Sequence, residues 1–143
     1  MALKSRTDAE RFLAERHRGV LVTLKRSDGR PQVSNIVYAL IDGHVRISVT
    51  DTRAKVANLR HDPRVSLYVT SEDFWTYVVA EGTAELSPVA KESGDEVCQA
   101  LLELYETVRG EPHPDPGEFY QAMVGDRRLL LSIAVERLYP TGG

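Results

Sequence analysis

Two Asp-Gly pairs, Asp28-Gly29 and Asp42-Gly43, each stand between stretches whose apolar residues fall on every second position. Before the first pair, Val20, Val22 and Leu24 alternate with Leu21, Thr23 and Lys25; after the second, Val45, Ile47 and Val49 share one face. Period two is strand spacing, and Asp-Gly suits the positive φ values that tight hairpin turns need. The stretch "QVSNIVYALI" between the pairs reads as one returning strand. The same spacing resumes at Val65, Leu67 and Val69, and at Leu129, Leu131, Ile133 and Val135. A long strand over "TYVVAEGTAELS" has an inner row of Val78, Ala80, Gly82, Ala84 and Leu86, small enough to let another backbone or a strong bend come close.

Helical spacing interrupts this pattern at four places. Thr7 and Glu10 form a capping-box pattern ahead of Phe12 and Leu13, predicting a first helix to about His17. Val56, Leu59 and the stem of Arg60 fit a short helix that stops at Asp62-Pro63. From Glu92 to Val108, Val97, Leu101, Leu104, Tyr105 and Val108 share a face. "EFYQAMVG" suits one more short helix. The strands are too many and too closely spaced for a doubly wound parallel sheet. A mostly β, small antiparallel barrel with inserted helices is the expectation. Outward apolar residues, Tyr77 beside Val79 and Leu130 beside Ala134, need cover, and a homodimer is its simplest source.

A length of 143 residues fits one domain over 1–143. A net charge of −3 gives no whole-molecule attraction for nucleic acid, so any anion site must be local. The lone Cys98 excludes an internal disulfide, fits a reducing compartment and reads as a small helix residue. No apolar run approaches the roughly 20 residues of a membrane span, and "MALKSRTDAERF" lacks a signal peptide's apolar segment. The expected compartment is the cytoplasm, with no membrane partner.

The usual nucleotide loops and the G-x-S-x-G and H-E-x-x-H motifs are absent. His17, His44, His61 and His113 are scattered without ligand spacing, so no metal site is expected. If the chain is an enzyme, its reactive atom belongs to a bound cofactor, with protein supplying position and electrostatics.

Four local signals could serve such a cofactor. In "TDTRAKVANL", Thr50 or Thr52 can cap the short helix, and Arg53 and Lys55 sit at its start. Cations there oppose the helix dipole at a cost of roughly 0.3–1 kcal/mol each. A phosphate or carboxylate would offset that cost; two solvated cations with Asp51 as counter-charge is the other reading. In "RPQVSNIVY", Gln32, Ser34, Ile36 and Tyr38 share one strand face, while Asn35 interrupts an apolar row on the other. Gln and Asn could read the polar edge of a planar ring, or Asn35 could be a satisfied buried amide. Phe74, Trp75 and Tyr77 could stack on a ring or pack in a core or dimer interface. Arg127 and Arg128 open the last strand and could reach a ligand or only solvent.

Taken in order, "GVLVTLKRSDGRPQVSNIVY", "RAKVANLRHDPRVSLYV", "WTYVVAEGTAEL" and "YQAMVGDRRLLLSI" resemble the FMN-binding split barrels related to pyridoxamine 5′-phosphate oxidase. Within that family the match is closest to small actinobacterial members that use the deazaflavin coenzyme F-420. The resemblance covers nearly the whole chain. It implies a homodimer of six-stranded antiparallel split β-barrels with cofactor sites at the subunit interface. By position it implies that Arg53 and Lys55 bind the cofactor phosphate, and that Gln32, Ser34 and Asn35 line the ring edge and ribityl chain. Ser48, Val49 and Thr50 would pass along the ring, partly by backbone. Trp75, Tyr77 and Arg127 or Arg128 would come from the partner's side. The chain lacks the C-terminal Arg and His extension of true pyridoxamine phosphate oxidases, so vitamin B6 oxidation is not expected.

The implied activity is hydride transfer between C5 of the reduced deazaflavin and a small conjugated substrate, with Tyr38, Tyr77 or solvent as proton source. Arg60, Arg64, Lys25 and Arg26 are candidates for the polyanionic tail of F-420 (phospholactate plus oligoglutamate), which FMN lacks. An FMN-dependent oxidase or reductase and a non-catalytic cofactor carrier are the competing readings.

Overall fold

The computed structural model describes residues 3–140. The chain runs α1 (Arg6–Ala14), β1 (Arg18–Leu24), β2 (Pro31–Val37), β3 (Ala39–Ile41), β4 (His44–Thr50), α2 (Ala54–His61), β5 (Arg64–Thr70), β6 (Tyr77–Leu86), α3 (Glu96–Arg109), α4 (Pro116–Gly125) and β7 (Arg128–Tyr139). All strands pair antiparallel in one sheet of order β2-β1-β5-β6-β7-β4-β3.

The expected six strands are therefore seven. "QVSNIVYALI" does not run as one strand; it breaks at Tyr38. The Tyr38 backbone N–H donates to His17 O at 2.8 Å, and its phenol OH donates to Leu13 O at 2.6 Å in the core. Leaving the ladder for one residue thus costs Tyr38 no hydrogen bond. The consequence is topological. β2 and β3 are opposite edges of the sheet, yet one residue joins them, so the sheet must curl until its edges meet. Closure is incomplete. β3 pairs with β4 only through Arg46, and no strand covers the β2-facing edge of β4 from Ile47 to Thr50.

The turns form as their residues dictate. Asp42 and Gly43 both adopt positive φ, 51° and 78°, between β3 and β4. Helix α1 starts two residues earlier than the Thr7 capping box implies: Ser5 is the N-cap, and its hydroxyl accepts from Asp8 N at 3.1 Å. Helix α3 starts at Glu96 rather than Glu92, because Asp95 caps it through Cys98 N at 2.9 Å.

The barrel core joins Phe12 and Leu13 of α1 to inward residues of the sheet, including Leu21, Val45, Ile47, Leu67, Val78 and Leu131. A second cluster, Leu101 and Leu104 of α3 with Phe119 of α4, covers Ala39 and Leu130. Leu130 is thus shielded within the chain and gives no reason for a dimer. The exposed large apolar residues are Val33, Val37, Phe74, Trp75 and Tyr77, on β2 and around the β5–β6 connection.

The small-residue row of β6 has its physical reason at Gly82. A Cβ there would sit 2.0 Å from Ala134 O, across the bulge where β6 shifts register against β7. Gly82→Ala must push the two strands apart, and overpacking of this kind costs about 1–3 kcal/mol or more. Urea unfolding should show a clearly lowered midpoint; an unchanged midpoint would contradict the close approach.

Candidate functional site

The gap between β2 and β4 forms one wall of a cleft of about 430 Å³. Its strand residues are Asn35, Ile36 and Val37 of β2 with Ile47 and Ser48 of β4. Lys55 of α2 and Arg128 of β7 bring positive charge to it, and Leu104, Tyr105, Val108 and Arg109 close it from α3. No Asp or Glu lines it.

The start of α2 is positioned by its fit to β1 and β2. Asn58, buried, donates to Gln32 Oε1 at 2.7 Å and to Thr23 Oγ1 at 3.1 Å. One turn earlier on the same face, Lys55 Nζ donates to Ser34 Oγ at 3.4 Å. Gln32 and Ser34 therefore face inward under α2, whereas Val33, Asn35 and Val37 point outward. Asn35 is exposed, not a buried amide. The Oε1 of Gln32 is already engaged by Asn58, so only its amide nitrogen is left for a ligand.

Neither Thr50 nor Thr52 caps α2. The N-cap is Arg53 in extended backbone, and no side chain accepts from the first turn. Val56 N–H is taken by Arg53 O at 3.0 Å, and no side chain among the described residues caps the N–H groups of Ala54 and Lys55. Asp51 does not serve as counter-charge to Arg53 or Lys55 either. Its carboxylate accepts from Arg60 Nη2 at 2.9 Å and Arg127 Nη2 at 3.1 Å. Those contacts, that to Arg127 first, hold it below the usual carboxylate range. No carboxylate among the described residues forms an ion pair with Arg53 or Lys55. Burial, then the charges of Arg53 and Arg128, push the half-buried Lys55 amine below its ordinary pKa.

Of the two arginines opening β7, Arg127 has positive φ (54°) and turns to Asp51, while Arg128 enters the cleft. Arg128 Nη1 donates to Ser48 Oγ at 3.3 Å, and its Nε is buried without a hydrogen bond, 3.7 Å from Asp126 Oδ2. Val49 is in the core, so only its backbone can face the gap. Thr50 ends β4 opposite Arg128. Trp75 and Tyr77 lie away from this cleft. Trp75 is 88% exposed on a turn fixed by Asp73, and Tyr77 stacks on Tyr68 at 5.5 Å between centroids. Tyr68 lines a neighbouring hollow of about 460 Å³ that shares Asn35, Ile36 and Val37 with the cleft.

The α3 wall was not legible as part of a site. Its helical spacing announces a buried face but not what stands opposite. Of the expected tail cations, Arg60 is held by Asp51, and Arg64 grips both oxygens of Asp62 at 2.7–3.3 Å. Lys25 and Arg26 remain exposed.

The arrangement suits an anion. A bound phosphate would favour the Lys55 ammonium and raise its depressed pKa, so binding must take up protons at alkaline pH. Affinity for inorganic phosphate should therefore fall as pH rises through the depressed pKa of free Lys55. Calorimetric titration in buffers of different ionisation enthalpy measures the uptake, and Lys55→Met should abolish it.

A family model described as pyridoxamine 5′-phosphate oxidase matches residues 6–142. Among solved structures, a conserved hypothetical protein from Mycobacterium tuberculosis is 25% identical with a TM-score of 0.76, over 95% of this chain and 83% of its own. An F-420 reductase is 25% identical with a TM-score of 0.66, over 89% of this chain and 93% of its own. A heme binding protein from Mycobacterium smegmatis is 25% identical with a TM-score of 0.68, over 100% of this chain but 56% of its own. With the curled antiparallel sheet and helix-start cations already in place, a match over residues 6–142 is decisive: the chain belongs to the pyridoxamine 5′-phosphate oxidase family.

Proposed function

We propose that this protein is an oxidoreductase that binds a phosphorylated deazaflavin, coenzyme F-420, and passes hydride between it and a small conjugated molecule. The observation that carries the reading is the trio Arg53, Lys55 and Arg128. Among the described residues Arg53 and Lys55 have no carboxylate partner, and the trio gathers at an uncapped helix start beside a largely apolar cleft. Similarity to an F-420 reductase at 25% identity supports the choice of cofactor.

The residues present fit such a group. Arg53 and Lys55 hold its phosphate, with free N–H groups at the start of α2 adding to their pull. Arg128 neutralises charge from the β7 side, where its Nε has no hydrogen bond to give up. Ser34 and Ser48 lie beside these cations and accept from Lys55 and Arg128, aiming both side chains into the gap. The unpaired β4 edge offers backbone groups from Ser48 to Thr50, and Asn35 stands at the β2 rim. Ile36, Val37 and Ile47 exclude water from the space between, which strengthens every charge interaction there. When bound, the deazaflavin supplies a C5 carbon that gives or takes hydride, so the protein need only orient the reactants. Tyr38 is withdrawn as proton source: its OH is given to Leu13 O and burial pushes the phenol pKa up. Solvent or Tyr77 takes that role.

The exposed Val33, Val37, Phe74, Trp75 and Tyr77 are the surface on which a second copy would dock. Docking there would bring the partner's Trp75 and Tyr77 toward the ring. A second reading, FMN in place of F-420, draws support from the engagement of Arg60 and Arg64 by aspartates, which removes two cations a long anionic tail would use.

Fluorescence titration with F-420 and with FMN tests the reading; absence of both complexes at about 100 μM ligand would reject it. Arg53→Ala combined with Lys55→Ala should weaken the bound cofactor about tenfold to a hundredfold. Light scattering should give about twice the 16.0 kDa chain mass; a monomer would remove the partner's residues from the site.

A further inference from the structure

The α3 wall of the cleft carries a cation that none of the phosphate-binding roles uses. Arg109 stands in the last turn of α3, one turn from Tyr105, and both line the cleft that holds Lys55 and Arg128. The wall is rigid. Tyr105 packs against the rings of His113 (5.0 Å between centroids) and Phe119 (5.4 Å). The Arg109 guanidinium lies 5.7 Å from the Tyr105 ring centroid. Leu101 and Leu104 fasten the helix beneath it to the sheet through Ala39 and Leu130. Gly110 caps α3 in left-handed backbone, ending the helix at Arg109.

Arg109 differs from the other arginines near α2 in what holds it. Arg64 has a two-point grip on Asp62, and Arg60 shares the largely covered Asp51 with Arg127. The sole ion pair of Arg109 among the described residues is with Glu111 at 3.2 Å, both side chains more than half exposed. Exposed pairs of this kind contribute little, so a ligand carboxylate can replace Glu111 at little cost. The cleft lining carries Lys55, Arg109 and Arg128 and, among the described residues, no acid, so a ligand carboxylate there meets cations only.

We propose that Arg109 takes a glutamate carboxylate of the ligand's anionic tail. The end of α3 is then the element that prefers a polycarboxylate-tailed deazaflavin over FMN, whose only anionic group is its phosphate. The proposal rests on the deazaflavin reading and adds a specificity-determining residue to it. Tyr105 is its positioning partner, holding the guanidinium against the wall.

The test is fluorescence titration of wild type, Arg109→Gln and Arg109→Lys with three probes: F-420, F-420 stripped of its glutamates, and FMN. Arg109→Gln should weaken F-420 about threefold to tenfold, leave the stripped form and FMN unchanged, and lower the salt dependence of F-420 binding. Arg109→Lys should recover part of the loss. Equal weakening of all three probes would make Arg109 a general wall residue and overturn the proposal. Unchanged F-420 affinity would overturn it while leaving the deazaflavin reading intact. If the wild type binds no F-420, both the reading and the proposal fall. Arg109 is exposed, so matching thermal melts of variant and wild type confirm that the fold is retained.

Discussion

Tyr38 is the residue on which the shape of the molecule depends. It alone separates β2 from β3, and those strands are the two edges of the sheet. A link of one residue spans only a few ångströms, so the sheet cannot lie open. The bonds that Tyr38 donates to His17 O and Leu13 O, with the contact of its own carbonyl to His17 Nδ1, fix where the edges meet and tie that seam to the end of α1. The break also leaves the β2-facing edge of β4 uncovered from Ile47 to Thr50, while its other edge pairs with β7. The opening of the barrel and the cleft beside it follow from the same residue.

Charge is distributed around that opening unequally. Asp51 and Asp62 take up Arg60, Arg127 and Arg64. Among the described residues Arg53 and Lys55 are left without a carboxylate, and Arg128 approaches Asp126 only at 3.7 Å. Three cations held near an apolar wall repel one another more strongly than they would in water. The depressed pKa of Lys55 expresses its burial first and that repulsion second. An anion bound there, as proposed, would relieve that repulsion.

The strands, the Asp42-Gly43 turn and the small row on β6 were readable before any coordinates, because each depends on neighbours in sequence. The break at Tyr38 was not. Period-two alternation runs through Ile36, Val37, Tyr38 and Ala39 without a fault, and only the carbonyls of His17 and Leu13 explain why the chain leaves the ladder. The cap of α2 was misread for a related reason: Thr50 and Thr52 have capping chemistry, but Thr50 is paired in β4 and the helix begins after Arg53.

What the sequence alone determined is the local chemistry: alternation, turns, helix faces and two cations at a helix start. Those features arise from interactions a few residues long. Which charges stay free was decided by the tertiary structure. Asp51 meets Arg127 across 76 residues, Arg128 meets Ser48 across 80, and α3 faces the cleft only because Leu101 and Leu104 found Leu130. Electrostatic partnership depends on distance in space, and in a curled sheet that distance is set by strand order, which no local pattern records.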